Sequence, residues 1–127
     1  MKRTIASGAL LAAAMGFTFA SAANAAPEPP SGLKSRILYG SVEISWLKSP
    51  DDPLSVSGYE VVRSVFINGP YLPICETIQG AISCVDRSIQ PEQLYYYKVR
   101  SLGGGEGSPF STEVTARLPS EAPPPER

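Results

Sequence analysis

Residues 94–102 read L-Y-Y-Y-K-V-R-S-L, and their pattern has a period of two. In an extended chain Tyr95, Tyr97 and Val99 share one face, while Tyr96, Lys98 and Arg100 point away. Residues 41–46, S-V-E-I-S-W, repeat the pattern, with Val42, Ile44 and Trp46 on one face and Ser41, Glu43 and Ser45 on the other. Each run is a half-buried strand, and no comparable helical period occurs between residues 32 and 118. The chain is therefore expected to be all-β.

Turn signals divide the remainder into further short strands. Ser49-Pro50-Asp51-Asp52-Pro53 breaks the chain after Trp46. Residues 58–65 follow as a strand, with Tyr59 and Val61 on one face and Glu60 and Val62 on the other. Asn68-Gly69 signals a hairpin, because both residues tolerate positive φ. Residues 71–77 form a strand edged by Pro73, which donates no ladder hydrogen bond. Gln79-Gly80 turns the chain into residues 81–86, where Ile82 and Cys84 share a face. After residues 94–102 comes the loop Gly103-Gly104-Gly105-Glu106-Gly107, then a last strand over residues 113–118 with Val114 and Ala116 inward. With residues 33–37 at the start, this gives seven strands and an antiparallel sandwich.

The two ends differ in character from this middle. Lys2 and Arg3 precede an uncharged run to Pro27, most apolar between Leu10 and Phe19, and Ala23-Asn24-Ala25 fits a small-x-small cleavage rule. Residues 1–25 read as a secretory signal peptide, cut after Ala25 or alternatively after Ala22. The competing reading is an uncleaved N-terminal anchor, which the abundance of Ala, Gly and Ser weakens. Cleavage takes the eleven Lys and Arg to nine, against twelve Asp and Glu, so the exported chain is mildly acidic and offers no basic footprint for nucleic acid. Residues 26–31 form a Pro-rich leader and residues 119–127 a Pro-rich tail, both read as spacers. The expected location is periplasmic or extracellular, with no membrane span left after cleavage.

The ordered motifs resemble a fibronectin type III domain over residues 32–118. Pro30-Ser31-Gly32-Leu33 is similar to the opening strand, and V-x-I-x-W ending at Trp46 to the second. Ser57-Gly58-Tyr59-Glu60-Val61 resembles the third. Ile89-x-Pro91 before Tyr95-x-Tyr97-x-Val99 resembles the loop and sixth strand that carry a tyrosine corner, and Ser108-Pro109-Phe110-Ser111 resembles the approach to the last strand. The resemblance implies a seven-stranded, immunoglobulin-like β-sandwich of fibronectin type III topology. Trp46, Tyr59, Tyr95 and Tyr97 are the expected core aromatics, and the Tyr95 hydroxyl is expected on backbone between residues 89 and 92. An immunoglobulin domain proper would tie its second and sixth strands with a disulfide. Cys75 and Cys84 lie nine positions apart and cannot make that bond. In an exported chain they are expected to pair with each other, a departure from most of the family. A redox pair or an intermolecular link is the alternative.

Composition narrows the function. The chain has no His, hence no His general base, no His metal ligand and no Ser-His or Cys-His dyad. Asp51 and Asp52 are sequence neighbours, read as a solvated turn rather than a catalytic pair. Gly103 to Gly105 precede no helix and no phosphate-binding Lys, so they are read as a loop with unusual φ angles. No catalytic residue, metal or cofactor is expected. Two surface groups are candidate partner sites: Val62, Tyr96, Lys98 and Arg100 on an outward sheet face, and Phe66, Ile67, Asn68 and Tyr71 at the hairpin tip. Against both stands the preference of β-branched and aromatic residues for strands as such. No Arg-Gly-Asp occurs in the Gly-rich loop, so the integrin binding of some family members is not carried over. The expectation is a monomeric, exported binding or scaffolding module for a protein or an extracellular polymer. The alternative is an accessory domain of a polysaccharide-degrading system, for which Tyr71 and Tyr96 are the only exposed aromatic candidates foreseen.

Overall fold

The computed structural model describes residues 26–120. The signal peptide assigned to residues 1–25 and residues 121–127 of the tail lie outside them. The strands are β1 Ser31–Leu38, β2 Ser41–Leu47, β3 Gly58–Ser64, β4 Leu72–Ile78, β5 Ser83–Asp86, β6 Leu94–Leu102 and β7 Val114–Arg117. They form two sheets, β1-β2-β5 and β4-β3-β6-β7, with every neighbouring pair antiparallel. This is the seven-stranded all-β sandwich that the alternating runs imply.

The inner faces supply the core in register. Val42, Ile44 and Trp46 of β2 face Tyr59 and Val61 of β3 and Tyr95, Tyr97 and Val99 of β6, all buried. Trp46 and Tyr59 meet at 5.5 Å between ring centroids with planes tilted by 54°, a favourable aromatic geometry. Val56, Ile89, Ala116 and Leu118 close the ends. The Trp46 indole N–H is buried and has no hydrogen-bond partner among the described residues.

Three expectations change. First, β3 does not alternate cleanly: Val62 is only 4% exposed, although its side is the outer one. β3 is an inner strand between β4 and β6, and Tyr71 crosses above it, as described below. Second, β5 starts at Ser83 rather than Ala81. The Ala81 N–H closes a turn onto the Ile78 carbonyl, with Gly80 at φ +82°, and leaves Ile82 more than half exposed. Third, the leader is not a free spacer. Pro27 and Pro30 are buried. The Glu28 N–H donates to Asp51 Oδ2 at 2.8 Å, and the Ser101 hydroxyl donates to the Glu28 carbonyl at 2.8 Å.

The hairpin between β3 and β4 also differs in detail. Its turn spans residues 66–69, closed by the Gly69 N–H on the Phe66 carbonyl at 3.0 Å, and only Gly69 takes a positive φ. A β-bulge follows, with Cys75 opposite Val61 and Pro73 opposite Val62. It seats Pro73 on the edge strand, where a missing N–H costs little.

The strand directions define two poles. One gathers the leader and the β2–β3, β4–β5 and β6–β7 connections. The other gathers the β1–β2 turn, the β3–β4 tip and the β5–β6 loop. Two glycines permit close packing at the leader pole. A Cβ on Gly103, whose φ is +143°, would lie 2.2 Å from the Ser55 carbonyl oxygen, and one on Gly58 would lie 2.0 Å from that of Thr77.

Cys75 of β4 and Cys84 of β5 are joined, across a Cα separation of 6.7 Å. Both strands are sheet edges, so the bond clasps the two sheets along one side. Replacing both cysteines by serine is expected to cost about 3 kcal/mol in the loop-entropy picture. Urea denaturation of the oxidised protein and the double variant measures the difference, and equal midpoints would show that the clasp does not stabilise the fold.

Candidate functional site

The outer face of the four-stranded sheet is built from Glu60 and Val62 of β3 and Tyr96, Lys98 and Arg100 of β6. Cross-strand register sets Glu60 opposite Arg100 and Val62 opposite Lys98. Arg100 Nε donates to Glu60 Oε1 at 2.8 Å, and the same guanidinium lies 5.1 Å over the Phe110 ring. The Lys98 ammonium sits 4.6 Å over the Tyr71 ring, and the Tyr71 hydroxyl donates to Glu113 Oε2 at 2.6 Å. Tyr71 precedes β4, while Glu113 precedes β7 at the far edge of the sheet. The ring must therefore cross β3 and β6, where Val62 lies.

That crossing removes Val62 from the candidate binding face and moves Tyr71 from the hairpin tip onto the sheet. Burial, followed by the hydrogen bond to Glu113, pushes the Tyr71 hydroxyl far above its ordinary pKa. The face is thus internally satisfied: each of its two cations already covers an aromatic ring. Tyr96, Lys98 and Arg100 are half-buried there. It is not an open row of aromatic rings.

A second cluster lies inside the sandwich at the tip pole. The Asp86 carboxylate, 2% exposed, accepts from the Tyr97 hydroxyl at 2.7 Å, from Arg63 at 2.9 Å, and from the Ser88 N–H and hydroxyl at 3.0 and 2.8 Å. The Arg63 guanidinium also lies 5.0 Å over the Tyr95 ring. The Gln90 N–H donates to the Tyr95 hydroxyl at 2.8 Å, within the loop where the tyrosine corner was expected. Burial alone would raise the Asp86 pKa, but the bonds from Tyr97, Ser88 and Arg63 outweigh it, and the net shift is downward. Burial and the bond to Asp86 push the Tyr97 hydroxyl far up. The cluster is enclosed and its acceptors are taken, so it fastens the fold rather than meeting a ligand.

Asp51 and Asp52 do more than cap their own turn. Asp52 Oδ2 accepts from the Tyr59 hydroxyl at 2.7 Å and from the Gly80 N–H at 2.9 Å, while Tyr59 accepts from the Ser49 N–H at 3.0 Å. Burial, then the bond to Asp52, raises the Tyr59 pKa to about 12. Among the described residues no three His, Cys, Asp or Glu side chains are grouped to hold a metal ion.

The surface that remains open lies at the poles. At the tip, Phe66 and Ile67 are 62% and 60% exposed, flanked by exposed Val65 and Leu72. The Ser64 hydroxyl holds the tip in shape, accepting from the Phe66 N–H at 2.9 Å and donating to its carbonyl at 2.8 Å. Tyr39, in the neighbouring β1–β2 turn, is fully exposed. At the leader pole a shallow cleft of about 610 Å³ opens between the leader, the β2–β3 loop and the Gly-rich loop.

Sequence reasoning missed Asp86 and Arg63. The available signal was a carboxylate at the inward position of an alternating run, two residues after Cys84. It also missed Phe110 as the lid over Arg100, for which the local sequence carries no signal.

Three strands packed on four, with a tyrosine hydroxyl bonded to the loop before its own strand, make an immunoglobulin-like β-sandwich. An Fn3-like protein from Clostridium thermocellum superposes on 77% of this chain and 99% of its own, with a TM-score of 0.63 and 26% identity. The chain carries a fibronectin type III domain. A β-1,2-glucanase from Parabacteroides distasonis matches 77% of the chain with 14% of its own length, at a TM-score of 0.63 and 20% identity. An amylopullulanase from Thermoanaerobacter thermohydrosulfuricus is 29% identical over 75 residues. The match takes in 59% of this chain but only 5% of that enzyme. No family model matches the chain.

Asp86→Asn should lower stability by roughly 2–4 kcal/mol at neutral pH, because the half-buried Arg63 guanidinium loses its counter-charge. Since the folded Asp86 pKa is depressed, its contribution is present above the ordinary value of 3.8 and lost as pH falls through the folded value. Chemical denaturation of both proteins should show the gap at neutral pH and its narrowing as the pH is lowered well below the ordinary carboxylate range. An unchanged gap in acid would refute the ionic assignment. Tyr95→Phe, which keeps the ring and drops the acceptor for Gln90, should cost about 1 kcal/mol by the same assay.

Proposed function

We propose that the chain is an exported, non-enzymatic binding or scaffolding module that meets another protein or an extracellular polymer through the β3–β4 tip. The observation that carries this reading is a hairpin tip presenting Val65, Phe66, Ile67 and Leu72 to solvent on a backbone fixed by hydrogen bonds. A contiguous exposed apolar patch marks an interaction site, and a preorganised one binds at a lower entropic cost. The Cys75–Cys84 disulfide supports an oxidising compartment. The absent His, and the engagement of Asp52 and Asp86 in structural hydrogen bonds, support a non-catalytic role.

A second reading has its own support: an accessory role beside a polysaccharide-degrading enzyme. It rests on the sequence match to a stretch of the amylopullulanase and the fold match to part of the glucanase. Against it, the rings of Tyr71 and Phe110 already lie beneath cations.

Affinity capture from envelope and secreted fractions separates the two. The first reading expects a discrete partner retained by the native protein and by Tyr96→Ala but lost with Phe66→Ala. Retention on insoluble glucan, lost with Tyr96→Ala and kept with Phe66→Ala, would transfer support to the second.

A further inference from the structure

The cleft at the leader pole holds a single ionisable side chain, that of Asp51, among lining residues that include Ala26 and Pro27 of the leader and Ser55, Ser57 and Gln79 across from them. The Asp51 backbone is fixed on both sides. Its N–H donates to the Ser49 hydroxyl at 3.0 Å, and its carbonyl accepts from the Ser55 N–H at 2.8 Å. Oδ2 takes the Glu28 N–H at 2.8 Å, while Oδ1 takes no hydrogen bond among the described residues. A carboxylate with one oxygen unused can still accept from a cation.

The surrounding charge favours one. The charged residues of the leader, the β2–β3 loop, the β4–β5 turn and the Gly-rich loop are Glu28, Lys48, Asp51, Asp52 and Glu106. Four are acidic, and Asp52 is already committed to Tyr59 and Gly80. Opposite charge is drawn to such a cleft.

The chain itself can supply the cation. Pro27 is buried, and the bond before a proline keeps Ala26 extended. Ala26 lies two residues before Glu28, so its nitrogen is at most about 10 Å from the Asp51 carboxylate that Glu28 touches. In the full-length chain that nitrogen is an uncharged amide. Hydrolysis of the Ala25–Ala26 bond adds one water: the released segment keeps the Ala25 carboxylate, and Ala26 keeps an α-ammonium.

We propose that export processing cuts after Ala25 and that the new Ala26 ammonium seats in the cleft on Asp51, so that the mature terminus completes the leader pole. A cut after Ala22 would leave the charge three residues farther out. The inference rests on the exported character proposed above and adds a site for the chain's own terminus, which that reading does not require. A neighbouring carboxylate favours the protonated amine, so its folded pKa rises above the ordinary value of about 8. The pairing therefore stabilises fully below that value and is lost as the pH rises through the folded one.

The test starts from the full-length chain, expressed with residues 1–25 and recovered from the exported fraction. Intact mass should show a chain that begins at Ala26. A dilute amine-reactive ester at pH 7 should label the Ala26 amine at least about threefold more slowly than in Asp51→Asn, as a rise of half a pKa unit requires. Asn keeps an acceptor for the Glu28 N–H, so the leader stays docked in that variant. Three glycines inserted between Ala25 and Ala26 leave Asp51 in place and move the amine, which should then label at the Asp51→Asn rate. Urea midpoints at pH 7 should be higher for the native chain than for either variant, with the gap closing in alkali. Equal labelling of native and Asp51→Asn chains that begin at Ala26 overturns the pairing and leaves export standing, as does an insertion variant labelled at the native rate. A first residue other than Ala26 overturns the proposal too, and recovery with residues 1–25 still attached overturns the cleavage on which it rests.

Discussion

The Asp86 carboxylate belongs to β5, and the four hydrogen bonds it accepts fix it to chemistry that an apolar core could not supply. Tyr97 and Arg63 reach it from the opposite sheet, and Ser88 reaches it from the loop that follows. Taking a carboxylate out of water costs several kcal/mol unless its lone pairs are met and its charge is balanced. Here both conditions hold, so the cost becomes directional: only one sliding position of the two sheets satisfies the group. The same contact stations Arg63 over Tyr95, whose hydroxyl receives the Gln90 N–H and so fixes the β5–β6 loop. Aliphatic packing between the sheets tolerates small slips, whereas this cluster does not.

A matching arrangement at the other pole uses Tyr59 and Asp52. Together the two clusters give each end of the sandwich a tyrosine anchored in the core and a carboxylate drawn from the facing sheet or its loop. The middle is left to Val42, Ile44, Trp46, Val61 and Val99. This division explains why the loops at the poles can present apolar residues without collapsing onto them: their backbones are held from beneath by polar bonds rather than by burial of their own side chains.

Much of this was legible in the chain. The runs 41–46 and 94–102 alternate without interruption, and a period of two leaves no other regular structure for them, so the core residues Trp46, Tyr95 and Tyr97 followed. The export signal pointed to a Cys75–Cys84 pairing, and the bond is there, though it spans the two sheets rather than a hairpin. Val62 was misread because alternation reports only which side of a sheet a residue takes, not what lies over that side. Tyr71 covers it from nine positions away, through a hydrogen bond to Glu113 forty-two residues later. The leader was misread because Pro-rich composition describes the free chain, while the docking of Glu28 depends on Asp51 and Ser101, which only the fold brings near. The polar cluster around Asp86 has the same origin, since its members come from β3, β5 and β6.

The disulfide divides the sandwich into unequal sides. β4 and β5 are locked covalently at one margin, whereas β1 and β7 face each other at the opposite margin through contacts such as the Ser35 hydroxyl on the Thr115 carbonyl at 2.7 Å. Local opening follows the least stable route. The domain therefore parts like a hinged case, with the spine at Cys75 and Cys84 and the lips at β1 and β7. On this geometry amide protons of β1 and β7 are expected to exchange before those of the inner strands β3 and β6. Loss of the first and last strands does not release the second sheet from the first.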